Sequence, residues 1–274
     1  MSARFTPYEL AFGPPDFESR IFPEILEELR STAPRLPDPD AFLRLETVGR
    51  ALRALEDGDN TRPLTAFEMR EHARLLFQGF RFWAADRPIW VLDEPLTRKL
   101  LTSTATVGDW RFAPPAAAGY LQFGRRIVWA RTSEDAPAES VDGAFWAVSP
   151  VSAGAGESRL DILLVLGMHP DRPGFSAVDV TGWLPAPPPG HWADAKVRAA
   201  EADFANVLPG GDLRGLFAVT SGEEVMKLVS RVFHFLATYP GAIGEAGIDR
   251  GATPASRLDL PPSALAAHTV SSAG

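Results

Sequence analysis

The chain has 274 residues, 45% of them hydrophobic, a formal net charge of −8 and no cysteine. That length and apolar share suffice to bury a full core, and the missing cysteines exclude disulfides, thiolate nucleophiles and thiolate metal sites. The negative charge is spread along the chain and offers no basic field of the kind nucleic acid requires, so nucleic acid is not an expected partner.

The apolar run from Ile162 to Met168 falls far short of the roughly 20 residues a membrane helix needs, and the opening "MSARFTPYEL" has no secretory apolar core. No membrane association is expected, and the cytosol is the expected compartment. Arginine outnumbers lysine 24 to 3, which reads as the codon bias of a GC-rich, bacterial genome.

The first hundred residues read as helices. "IFPEILEELR" spaces Ile21, Phe22, Ile25, Leu26 and Leu29 at helical intervals, and "DAFLRLETVGRALRALEDG" does the same with Leu45, Val48, Leu52 and Leu55 before Gly58 stops it. A third helix opens on a capping box of Thr65 and Glu68 and carries a seam of Met69, Leu76, Phe80 and Trp83. A shorter one follows Asp93, with Pro95 tolerated in its first turn and Leu96 and Leu100 on one face.

From about Arg111 the apolar period shifts toward two. "GYLQF", "RIVWAR", "GAFWAVS", "RLDILLVLG" and "SAVDVTGW" are short, β-branched or aromatic, and separated by turn residues. Consecutive strands without helices between them predict a mostly antiparallel sheet. Leu160 to Leu166 is apolar on both alternations, which places that strand centrally, covered on both faces. After the proline-rich "LPAPPPG", the alanine content of "HWADAKVRAAEADFANVL" predicts a helix, "LRGLFAV" a further strand, and Ser221 with Glu224 the start of a long helix faced by Val225, Leu228, Val229, Val232 and Leu236.

The expected fold is α+β: an N-terminal helical layer, a mostly antiparallel sheet of about five or six strands, and a C-terminal helix packed on the sheet. One domain spans residues 1–240, with its helical part at 1–104 and its sheet and C-terminal helix at 105–240. Residues 241–274, rich in small residues and proline, are expected to be a flexible tail or docking arm.

The stretch "GYLQFGRRIVWAR", Gly119 to Arg131, sets two arginines between aromatic runs. Gly124 can supply the positive φ of a type II′ turn, so the segment is expected to close as a hairpin with Gly124-Arg125 at its tip, Leu121 opposite Val128 and Tyr120 opposite Trp129. The arginine pair is then a solvated turn tip. Tyr120, Trp129 and Arg131 share the other face, where aromatic rings beside a guanidinium suit a small anion; the same rings would serve equally at the border of a core. Asp142 on the next strand is a further candidate ligand-binding residue.

"LGMHPDRPG" carries His169 and Asp171 in a loop leaving the central strand, an imidazole and a carboxylate close enough to act as an acid–base pair. "HPD" is also an ordinary turn, and no second histidine stands at ligand spacing, so no metal site is assigned. His191 beside Trp192 could close over a pocket or lie on the surface; His72 and His234 fall within amphipathic helices. Glu223-Glu224 at a helix start complements the helix dipole, and the run "EILEE" at Glu24 to Glu28 is read as a solvated helix face.

No nucleophile elbow, phosphate loop, dinucleotide fingerprint, zincin or EF-hand spacing is present, and no cofactor is implied. Two functions from different classes follow. The first is a non-catalytic cytosolic protein-interaction subunit or accessory factor, binding another protein or associating with itself, suggested by seven tryptophans and 17 phenylalanines in a chain without catalytic motifs. The alternative is a small-anion-binding enzyme or sensor with a pocket beside the sheet, built from Tyr120, Trp129, Arg131 and Asp142, with His169 and Asp171 as its catalytic pair.

Overall fold

The structure, a computed structural model, describes residues 2–3, 8, 17–32, 39–58, 66–102, 114–124, 127–130, 139–150, 157–167, 176–185, 196–199, 217–218, 222–245, 247–248 and 267–271. Among these, five helices run longer than a single turn: α1 (Phe22–Thr32), α2 (Glu46–Gly58), α3 (Ala66–Ala84), α4 (Glu94–Thr102) and α5 (Gly222–Thr238). A π-helical turn, Phe17–Ile21, leads into α1, and a separate turn, Pro39–Phe42, precedes α2. The apolar pattern from Asp40 to Gly58, expected as one helix, is thus broken between Phe42 and Glu46, where Leu45 becomes the residue before α2.

Asp93 starts α4 as expected, its Oδ1 accepting from the Leu96 amide at 2.6 Å. Thr65, half of the capping box expected before α3, lies outside the described residues.

Twelve strands are present among the described residues: β1 (Ser2–Ala3), β2 (Ile89–Leu92), β3 (Ala118–Gln122), β4 (Val128–Ala130), β5 (Glu139–Pro150), β6 (Glu157–Leu166), β7 (Ser176–Pro185), β8 (Lys196–Ala199), β9 (Phe217–Ala218), β10 (Ile243–Glu245), β11 (Gly247–Ile248) and β12 (Ala267–Val270). The main sheet runs β10-β12-β2-β3-β5-β6-β7-β8, with β4 on β5 and β9 on β4, while β1 pairs with β11 apart from it.

The fold is α+β, but the sheet is mixed where the sequence predicted a mostly antiparallel one. Strands β12 and β2, and β2 and β3, pair in parallel. The cause is β2 itself: its four buried residues "IWVL" lie in the part read as all helical, and α4 then provides the crossover that a parallel β2–β3 pair needs. From β3 through β5, β6 and β7 to β8 each step is antiparallel.

Helices cover both faces. Phe22, Ile25, Val48, Leu76, Phe77 and Phe80 of α1 to α3 pack on Ile89, Val91, Tyr120, Phe145, Leu163 and Val165. On the other face Leu96 and Leu100 of α4 and Leu228, Val229, Val232, Phe233 and Leu236 of α5 meet Leu121, Trp146, Leu160, Ile162, Leu164 and Leu166. Alternate residues of β6 therefore belong to different cores, the placement its doubly apolar sequence predicts.

Three segments depart from their sequence reading. Lys196–Ala199, inside the alanine-rich stretch expected to be helical, is a strand because the open edge of β7 pairs with it from Val180 to Trp183. Two parts of the stretch expected as a flexible tail or docking arm, Ile243–Glu245 and Ala267–Val270, are paired strands of the main sheet; residues 249–266 lie outside the described residues. The pairings expected of a Gly124-Arg125 hairpin, Leu121 with Val128 and Tyr120 with Trp129, are not formed among the described residues, because β3 and β4 both pair with β5 and not with each other.

Candidate functional site

Strands β3 and β4 lie one after the other along the same edge of β5, both antiparallel to it. Gln122 stands opposite Gly143 and Trp129 opposite Ser140, so the chain advances seven residues (122 to 129) while β5 advances three (143 to 140). The β3–β4 side thus carries four more residues than β5 over this stretch. The two arginines in question, Arg125 and Arg126, lie outside the described residues.

Strand β5 has its own irregularity at the same place. Val141 pairs with Leu166 and Gly143 with Val165, which makes Asp142 a bulge residue. A bulge re-aims a side chain that strict alternation would commit to one face. Here the half-buried Asp142 carboxylate accepts a hydrogen bond at 3.2 Å from the hydroxyl of the fully buried Tyr120. The Tyr120 ring packs on its cross-strand neighbour Phe145, with centroids 4.6 Å apart. Gly143 makes the approach possible, because a Cβ there would collide with the Leu121 carbonyl oxygen and the Tyr120 ring.

Of the anion-binding residues proposed from sequence, the structure therefore joins Tyr120 to Asp142. Trp129 is half-buried further along β5, with Ser140 and Ala218 as its strand neighbours, and does not face Tyr120. Arg131, His169, Asp171 and His191 lie outside the described residues. Among the described residues no three His, Asp or Glu side chains gather as a metal site.

A second polar cluster was not anticipated from the sequence. Arg81 on α3 is only 1% exposed, yet its Nη1 donates to Ser149 Oγ and its Nη2 to the Val148 carbonyl, both at 2.7 Å. Asp161 of β6, 5% exposed, accepts from Arg159 Nε at 2.7 Å. Burial pushes the Arg81 guanidinium down to about 10, and the nearby Asp161 charge opposes the shift. The Arg81 plane also lies over the Phe77 ring, 5.8 Å from its centroid.

The cluster ties α3 to β5 through charge-assisted hydrogen bonds in a buried setting, with the Asp161 charge of β6 nearby. One sequence signal was available: Arg81 follows Phe77 by four residues, which puts it on the buried stripe of the helix. Asp161 interrupts an otherwise apolar strand in the same way.

On the opposite face Arg231 of α5 donates through Nη1 to the Leu100 and Leu101 carbonyls at 3.0 and 3.3 Å, satisfying the free C-terminal carbonyls of α4. No helix among the described residues is long and apolar enough to cross a membrane.

No family model matches the chain, and no curated protein matches it. A solved structure described as "Crystal structure of AcrVA2" is similar at 12% identity and a TM-score of 0.39, over 96% of this chain and 81% of that one. A likeness at that level carries no argument about function.

Proposed function

We propose that the protein is a non-catalytic protein-interaction subunit or accessory factor of the bacterial cytosol. The support does not come from aromatic content as such, since Trp90, Trp146 and most described phenylalanines line the two cores. It comes from one exposed aromatic at one sheet edge. Tyr239, 52% exposed, directly follows α5, and its ring rests on Phe235 with centroids 5.0 Å apart. The turn Pro240–Ala242 then leads straight into β10, whose outer side has no strand partner among the described residues.

An edge strand beside a rigid aromatic pair suits an extended segment of another protein: the backbone of β10 supplies hydrogen bonds and the tyrosine an anchoring contact. Native mass spectrometry of the tagged protein isolated from its source cells tests this, run beside Tyr239→Glu. The expected result is a stoichiometric partner on the wild type, at least about tenfold depleted from the variant, with unchanged circular dichroism. A bare monomer in both preparations would sink the reading.

A further inference from the structure

Strand β12 occupies an unusual place: it sits between β2 and β10, and β10 reaches the rest of the sheet only through it. Its four residues pair with Ile89–Leu92 on one side, and three of them pair with Ile243–Glu245 on the other. The ladder is extended at its end by the Asp93 amide donating to the Val270 carbonyl at 3.0 Å and the Ser271 amide donating to the Ala242 carbonyl at 3.4 Å. Val270 belongs to the core beneath, fully buried against the α4 and α5 face. The main-chain ladders on the two sides of β12 are ones that any copy of the same strand satisfies equally.

Without a strand in this slot, β2 and β10 would both present bare edges, an arrangement that invites pairing. Residues 249–266 separate β12 from β11, a length that can span at most about 60 Å, against a radius of gyration of roughly 19 Å for a compact chain of this size. The covalent connection therefore does not oblige β12 to fill the slot of its own chain.

We infer that β12 exchanges between two copies of the protein, each chain's Ala267–Val270 closing the sheet of the other in a two-fold dimer. Every contact of the closed monomer is kept, so the exchange is decided by entropy and concentration. Association loses translational freedom, while opening the intrachain connection returns the entropy of loop closure. This goes beyond the protein-interaction reading, since the second copy is a partner at the β12 slot and not at the Tyr239 edge of β10.

The cysteine-free chain makes the test direct. Gly244 and Thr269 are cross-strand partners, so Gly244→Cys with Thr269→Cys can form a disulfide across β10 and β12, within one chain if the monomer is closed and between chains if β12 is exchanged. The full-length double variant is incubated over a range of concentrations, oxidised and run on a non-reducing denaturing gel.

Exchange predicts a covalent dimer that rises to the major species as the protein approaches the order of 1 mM, the effective concentration typical of a flexibly tethered strand. Both single-cysteine variants are expected to stay monomeric on the same gel. Only intrachain disulfide at every concentration overturns the exchange, as does dimer formation to the same extent by a single-cysteine variant. A double variant that forms no disulfide at all overturns the placement of β12 and the proposal with it. Sedimentation of the wild type keeps the question open to refutation if the variants misfold, since a monomer across the same range refutes exchange. These failures leave the Tyr239 reading standing, because that is read from loss of a different partner in a different variant.

Discussion

Glu28 lies in an acidic run that looks like a solvated helix face, yet its carboxylate does specific work. Oε1 accepts from the Glu46 amide at 2.7 Å and Oε2 from the Thr47 amide at 2.9 Å, so a residue of α1 caps the N-terminus of α2. The cap is needed because Leu45, the residue before α2, has no side-chain acceptor. Burial raises the Glu28 carboxyl, but these hydrogen bonds and the Arg50 charge outweigh it and leave it below its ordinary value of 4.5. A lowered acid stabilises the fold fully above its unfolded value and loses that contribution as pH falls through its folded value. Glu28→Gln is thus expected to lower the urea-unfolding free energy by about 1 kcal/mol at pH 7, a figure held down by the exposure of the site, with the gap closing below about pH 4.5. Asp86 gives the opposite sign. It ends α3 at φ 62°, its amide bonded to the Trp83 carbonyl and the next amide, of Arg87, to the Phe82 carbonyl, a Schellman arrangement in which glycine is preferred. Asp86→Gly is expected to raise stability by about 0.5 kcal/mol, measured in the same urea series, while Arg87 keeps its 2.6 Å ion pair to Glu18.

Strands and helices were legible where one residue stretch contained its own reason to fold, and illegible where a distant partner supplied it. The apolar faces of α1, α4 and α5 are written in their spacing, and the double alternation of Leu160–Leu166 marks a strand covered on both sides. "FGRR" has the composition of a tight turn, but nothing local states that β5 will take both flanking segments as neighbours. Lys196–Ala199 has alanine-rich surroundings and becomes a strand only because β7 has an edge to offer. Of the candidate site, the Tyr120–Asp142 contact depends on a bulge that periodicity does not encode, since one extra residue in β5 shifts Asp142 out of its expected face. Gly143 is the element's weak point. Gly143→Ala places a methyl against the Leu121 carbonyl and the Tyr120 ring, and is expected to cost about 1–3 kcal/mol in thermal or urea unfolding, whereas Tyr120→Phe, which only removes the hydroxyl bonded to Asp142, is expected to cost about 1 kcal/mol.

At the scale of the whole molecule, two aromatic-rich cores share one sheet, and the polar cluster at Arg81 is buried between α3 and that sheet. Arg81 fixes α3 on the sheet, since its two hydrogen bonds reach one hydroxyl and one carbonyl of β5 and its charge is matched by Asp161 of β6. A guanidinium lowered to about 10 remains charged through neutral pH, so its burial penalty does not change there. The tie is thus constant through neutral pH. Arg81→Met leaves Ser149 and the Val148 carbonyl without their donor and the Arg159–Asp161 pair without its third charge, and a loss of about 3 kcal/mol is expected. Arg81→Lys is expected to recover little of it, because an ammonium cannot span both acceptors in the geometry of a planar fork. Pairing Arg81→Met with Asp161→Leu separates charge from packing: if the tie is electrostatic, the double variant loses clearly less than the two single losses added together. Additive losses in that cycle would mean that Arg81 holds α3 through its hydrogen bonds to β5 alone, and that Asp161 serves only Arg159.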